Sequence, residues 1–285
     1  MAVLLFTSVV LAGCSGRPAM QAYVSPDTIA LAGVRVAKIR ATPLYSKLER
    51  ERRVPRFEQF RQEMGFDPAQ GLEELLIASD GEEVLAIARG AVRAKPAGDW
   101  RSEPYHGVSV YTRSANEALA LIGKDLALGG PVASVHAAID QARNGGRGAP
   151  RDLLDRAASL PGHAQIWVVA SGWKGASPEQ LRRMGNLANL DRVLRLVDGA
   201  SLTVDLTNGV HAVFMGDGRT DADGKSLADS LRALAALGRM AVSRGDAQTQ
   251  ASLQHAFDGL QVNQAGRTVR VNFDINEELA EKIVK

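Results

Sequence analysis

The sequence predicts an α+β protein: two similar lobes of antiparallel sheet with helices packed on one face. Three observations carry that reading. Turn signals flanked by β-branched and apolar runs mark hairpins at Asp80-Gly81, Thr207-Asn208-Gly209 and Ala265-Gly266. Strands joined by such turns pair antiparallel. Amphipathic stretches with capping residues lie between the hairpins. The order strand, helix pair, hairpin, variable middle, hairpin, helix occurs twice along the chain.

The first lobe is expected over residues 28–144. Thr28–Val36 is β-branched and apolar and reads as its opening strand. Thr42-Pro43 supplies an N-cap with proline at the first helical position, so helices follow over Leu44–Arg53 and Pro55–Met64. Leu72–Ser79 and Glu82–Val92 flank the first hairpin turn. His106–Thr112 alternates as a strand, and Leu119–Ile122 pairs with Leu126–Gly129 across Gly123-Lys124-Asp125. In Pro131–Arg143 the residues Val132, Val135, Ala138 and Ile139 share one helical face. Residues 145–162 read as an inter-lobe linker with a short helix, because Gly and Pro crowd Asn144–Pro150.

The second lobe is expected over 163–285. It opens with the strand His163–Ala170 and a helix capped at Ser177-Pro178. The hairpin Ala200–Leu206 with Val210–Met215 follows. Helices over Lys225–Val242 and Gln248–Phe257 come next, then a last hairpin and a terminal helix, Asn276–Val284.

Ala2–Ala12 is an uncharged, mostly apolar run of eleven residues ending in Leu11-Ala12-Gly13-Cys14. It is too short to cross a hydrocarbon core, which takes about 20 helical residues. Its length suits the apolar region of a secretory signal peptide. The Leu-Ala-Gly-Cys ending resembles the lipobox of bacterial lipoproteins. The resemblance implies a signal peptide over 1–13, a diacylglyceryl group on the Cys14 thiol, cleavage before Cys14, and further acylation, palmitate included, at the new amino terminus. The chain departs from that family in having no Lys or Arg ahead of the apolar run. Residues 14–27 are then a lipidated cysteine and a flexible tether rich in Ser, Gly and Pro. Leu31-Ala32-Gly33-Val34, Thr42-Pro43-Leu44-Tyr45 and Gly65-Phe66-Asp67-Pro68 are similar to segments of an uncharacterised family of bacterial, acidobacterial-type envelope proteins, a resemblance that implies a fold and no chemistry.

Composition excludes several functions. Lys and Arg total 34 against 32 Asp and Glu, a net charge of +2, so there is no basic excess for nucleic acid. Cys14 is the only cysteine, which leaves no intrachain disulfide and no cysteine-built metal site. No His-x-x-x-His or His-x-His clamp occurs among His106, His136, His163, His211 and His255. Gly224-Lys225-Ser226 ends like a phosphate-binding loop, but Arg219 stands where the leading glycine belongs. A capped helix start is the better reading there. Arg219–Gly224 lacks the first and last ligands of a calcium loop. Ser171-Gly172-Trp173-Lys174 has the spacing of a serine–lysine pair without the companion motifs. The mixed charges over Lys47–Arg61 read as a solvated helix face.

No catalytic, cofactor or metal residue is therefore assigned, and Cys14 is the one site residue, for lipidation. The expected function is a membrane-anchored lipoprotein of the cell envelope, facing the periplasm or exterior, that acts as a non-enzymatic binding or scaffold module. Its expected partners are membrane lipid, an envelope protein or a small apolar ligand. The alternative is a periplasmic hydrolase whose site is assembled from residues distant in sequence.

Overall fold

Strand-forming runs too apolar to alternate cleanly, such as Ala30–Val34, Leu75–Ser79 and Ile166–Ser171, suit a sheet covered on both faces. The computed structural model of the chain describes residues 19–51, 62–64, 66–92, 96–172, 195–242, 259–277 and 280. Among them is one continuous sheet of 12 strands in which every neighbouring pair is antiparallel.

The strands are β1 (Ala30–Val34), β2 (Leu72–Ser79), β3 (Val84–Gly90), β4 (Arg101–Tyr105), β5 (Val108–Ser114) and β6 (Glu117–Ile122). They continue with β7 (Leu126–Gly130), β8 (Ile166–Ser171), β9 (Val197–Asp205), β10 (Val210–Gly218), β11 (Gln261–Ala265) and β12 (Thr268–Ile275). From the central pair β1 and β8, the order runs outward as β1-β2-β3-β7-β6-β5-β4 on one side. On the other side it runs β8-β9-β10-β12-β11. The sheet crosses its middle without a break, so the body is one sheet rather than two separate ones. Ala30 pairs with Ala170, Ala32 with Val168 and Val34 with Ile166. At the same seam Gly33 pairs with Trp167, whose indole occupies the space a Cβ at Gly33 would need, 2.2 Å from Cε2.

The helices are α1 (Val36–Arg40), α2 (Pro43–Glu51), α3 (Pro68–Gly71), α4 (Val132–Arg143), α5 (Arg151–Ala158) and α6 (Asp221–Val242). Thr42 caps α2 by accepting from the Tyr45 amide at 3.2 Å. Asp67 caps α3 by accepting from Ala69. Val135, Ala138 and Ile139 of α4 and Leu153 of α5 bury against Leu31, Ile87, Leu128, Ala120 and Val169. The register places those strand residues on one face.

One-sided helix packing does not hold. Ala200 pairs with Gly216, and Gly216 with Val269, on the face opposite Val169 and Ser201. There Leu227 and Ala228 of α6 pack on Val269 and Val197. Two glycines mark the two sides: a Cβ at Gly199 would strike Arg156 of α5, and one at Gly216 would touch Leu227 of α6. The cause is the parity of the apolar positions. Both odd and even positions of the central strands are apolar, so each face attracts a helix.

Two further differences concern connections. His106-Gly107 is a tight turn with φ of 49° and 82°, which adds the hairpin partner β4 ahead of the expected strand. A histidine in the first left-handed position hides that signal. Met20–Tyr23, inside the segment read as tether, forms a 3-10 turn. Met20, Tyr23 and Val24 belong to the main core, and Gln141 of α4 donates to the Val24 carbonyl. The Gly-rich connection after α4 runs close beside this turn: a Cβ at Gly146 would stand 3.0 Å from the Ala22 carbonyl oxygen, and one at Gly148 3.0 Å from that of Gln21. The hairpin at Thr207-Asn208-Gly209 is present, with Gly209 at φ 102° and the Ile275 carbonyl where a Cβ would stand. The helices expected over Pro55–Met64, from Ser177 to about Val197 and over Gln248–Phe257, and most of the terminal one, lie mainly outside the described residues; of their described ends, residues 62–64 are helical while Val197 opens β9 instead.

Gly33→Ala should lower stability by about 1–3 kcal/mol, the usual cost of overpacking. The loss should shrink when Trp167→Ala is made with it. Urea midpoints of the two single variants and the double variant check this, and equal losses in both backgrounds would refute it. Removal of everything before Ser25 strips three core side chains. It should cost at least about 3 kcal/mol, read as a lower melting transition than that of the full chain.

Candidate functional site

Cys14 and the Leu11-Ala12-Gly13 that precedes it lie outside the described residues. The other singled-out segments have structural places. Gly224-Lys225-Ser226 falls within the first turns of α6. Thr220 and Asp223 close a reciprocal cap ahead of it: the Thr220 amide donates to the Asp223 carboxylate at 3.1 Å, and the Asp223 amide to the Thr220 hydroxyl at 3.1 Å. Gly224 is small because the Arg267 backbone lies where a Cβ would go. Ser171 ends β8, its amide donating to the Ile29 carbonyl, while Trp173 and Lys174 lie outside the described residues. Glu74 faces Arg89 at 3.5 Å. Glu83 accepts from the Ser134 hydroxyl. Among the described residues no three His, Cys, Asp or Glu side chains converge as a metal site would require.

The fold brings together two histidines that the sequence leaves unconnected. Tyr105, at the end of β4, stacks on His136 of α4 with ring centroids 3.8 Å apart and planes 2° from parallel. His106 meets the same tyrosine edge-on at 4.5 Å. The Tyr105 hydroxyl donates to Asp140 at 2.8 Å, and His106 Nε2 lies 3.3 Å from the other Asp140 oxygen. That hydrogen bond, with burial second, raises the tyrosine pKa, so the phenol stays neutral. Arg143 donates to the His106 carbonyl. The cluster holds the left-handed His106 and pins the β4–β5 hairpin to α4. It borders a cleft of about 560 Å³ whose wall carries both signs of charge, Asp99 and Glu103 with Arg101 and Arg113.

A second cavity, of about 260 Å³, opens between the 3-10 turn, the β2–β3 hairpin and α4. Tyr23, Ser25 and Thr28 form one wall, Asp80 and Glu83 the hairpin rim, and Ala133, Ser134 and Ala137 the helix side. Tyr23 is only 7% exposed and Thr28 only 3%. Burial alone raises the Tyr23 pKa, so its hydroxyl is neutral too.

Two ion pairs set the local electrostatics of the sheet. Arg156 of α5 meets Asp217 of β10 at 2.8 Å, and Thr268 donates to the same carboxylate at 2.9 Å. Burial pushes the Asp217 pKa up, but the hydrogen bonds from Arg156 and Thr268 outweigh it and hold the group below the usual carboxylate range. His211 lies opposite Asp274 across β10 and β12. Its Nδ1 is 2.7 Å from the Asp274 carboxylate and its Nε2 is 3.0 Å from the Asn208 carbonyl. Both neighbours only accept, so both ring nitrogens donate and the imidazolium is favoured. The Asp274 hydrogen bond raises the His211 pKa against the opposing effect of burial.

Raised in the fold, the His211 pKa gives stability that is complete below the unfolded value of about 6.5. That stability is lost as pH rises through the folded value. The side chains are 44% and 56% exposed, so solvent screens the effect to a small one. Urea midpoints should fall from about pH 6 to about pH 8, and Asp274→Asn should flatten that fall. An equal fall in the variant would remove the pair as its cause.

No family model matches the chain, and no curated protein does. Solved structures do. TP0453 in crystal form III aligns with a TM-score of 0.53 at 11% identity, covering 95% of this chain and 98% of that one. Form IV aligns at 0.51 with 12% identity, covering 93% and 96%. Form I aligns at 0.50 with 10% identity, covering 95% and 97%. At that identity the likeness is one of fold: the large antiparallel sheet with its helices is shared with TP0453.

Proposed function

We propose that the protein is a lipid-anchored component of the bacterial cell envelope, facing the periplasm or exterior, that works as a non-enzymatic binding or scaffold module. The observation that carries this is Leu11-Ala12-Gly13-Cys14 at the end of an apolar run. A thioether-linked diacylglyceryl group supplies two chains, and two chains hold a protein on a bilayer where one is marginal. The position of the body supports the same reading. Residue 19 is already at the edge of the folded body, five residues after Cys14. Five residues reach at most about 18 Å, so an acylated Cys14 keeps the sheet against the headgroups. The matching strand orders β1-β2-β3-β7-β6 and β8-β9-β10-β12-β11 support reading the body as two similar lobes fused edge to edge.

Cells expressing the chain should incorporate radiolabelled palmitate into it, and Cys14→Ser should abolish the label and leave a longer, uncleaved precursor. A variant labelled as strongly as the natural chain would overturn the anchor.

A further inference from the structure

We propose that the cavity between the 3-10 turn Met20–Tyr23, the β2–β3 hairpin and α4 is a binding site for a small organic cation, an alkylammonium ion with a short aliphatic body. This rests on the reading of the chain as a binding module and names the ligand class. It is more specific than the small apolar ligand named among the expected partners.

Two hydroxyls on buried side chains open onto the cavity. Tyr23 and Thr28 are more than nine-tenths buried and line the cavity. Neither side chain makes a hydrogen bond among the described residues, and neither oxygen is among the fully buried unpaired ones, so both hydroxyls are left to whatever fills the cavity. The next residue, Val24, is fully buried and its carbonyl accepts from Gln141, which fixes the backbone beside Tyr23. The two hydroxyls therefore face the cavity as fixed, neutral acceptors and donors. An ammonium group donates to such oxygens, and so does its hydration water.

Charge decides the sign of the ligand. The rim carries the carboxylates Asp80 and Glu83, and no Lys or Arg lines the cavity among the described residues. Glu83 is fixed by the Ser134 hydroxyl across the mouth, and Asp80 by accepting from the Glu82 and Glu83 amides. An anion entering here meets two like charges. A cation meets two opposite charges. Behind the rim, Ala78, Leu85 and Ala138 are buried and apolar, which suits a short alkyl chain. The volume of about 260 Å³ equals that of roughly nine water molecules. That is room for an amine of a few carbons and not for a lipid chain.

The test is calorimetric titration of the full chain, in non-ionic detergent, with n-butylammonium chloride, n-butanol and sodium n-butyrate. These probes share one shape and differ in charge. Butylammonium should saturate in the millimolar range, butanol should bind more weakly, and butyrate should not bind. Glu83→Gln should weaken butylammonium about threefold to fivefold, the scale of a partly exposed charge pair. Ala137→Leu places a larger side chain at the mouth from an exposed helix position. It should abolish binding while leaving the melting transition in place. Equal binding of all three probes, tighter binding of butyrate, no saturation by butylammonium, or undiminished binding to Ala137→Leu would each overturn the proposal. Palmitate labelling reads the anchor alone, so failure there and failure here are separate results.

Discussion

Antiparallel pairing of β1 with β8 joins residues about 140 positions apart and turns two runs of hairpins into one sheet. Without that pairing each half would present a long, flat, apolar edge, the kind that pairs with other chains. The seam is reinforced at the end where Val34 meets Ile166. The Arg35 amide donates to the Gln165 carbonyl, and the Arg35 guanidinium to the carbonyls of Gly162 and Ala164. Gln165, itself buried, reaches on to the Leu206 amide and the Thr207 hydroxyl, which extends the seam to β9. In the middle, Trp167 lies over Gly33, so the register of the pairing is set by a large residue facing an absent side chain. A slip of one residue would put Val34 or Ala32 under the indole and reverse every face beyond it.

Once the seam is fixed, the helices tie distant strands together from both sides. On the α4–α5 face, Arg156 crosses from α5 to Asp217 of β10, and Gly199 makes room for its guanidinium. On the other face, Leu44 of α2 packs on Ile275 and Ala280, and Lys47 meets Glu277 at 2.7 Å. An element that follows β1 thus helps bury the end of β12. Such contacts couple the two sides of the sheet and argue for cooperative rather than lobe-by-lobe unfolding. The outer strands end the sheet by different means. In β4, Pro104 and the charges of Arg101 and Glu103 block addition of another strand. β11 is short and polar.

The 3-10 turn Met20–Tyr23 links the core to the proposed anchor. Because Met20, Tyr23 and Val24 are core residues, the chain leaving Ala19 starts from a fixed point beside α4 and the Gly146–Gly148 connection. An anchor at Cys14 would therefore orient the sheet as well as retain it. The cavity lined by Tyr23 lies at this same junction, and an occupant would touch the anchoring segment, the hairpin rim and α4 at once.

Local chemistry determined a good part of this protein. Hairpin turns at Asp80-Gly81 and Asn208-Gly209 were legible because positive φ belongs to few residues, and the helix start at Thr42-Pro43 because capping is a matter of adjacent residues. The His106-Gly107 turn was missed because histidine seldom takes the first left-handed position, and here Asp140 and Arg143 of α4 contact it directly while His136 stacks on its neighbour Tyr105. Tertiary structure alone decided that one sheet forms instead of two, since Gly33 and Trp167 meet only when β1 and β8 pair. It also decided which face each helix covers, because central strands apolar at both odd and even positions carry no preferred side. The candidate site was hidden for a related reason. Tyr23, Thr28, Asp80, Glu83 and Ser134 come from three separate segments, and no spacing rule connects residues whose only relation is a shared cavity.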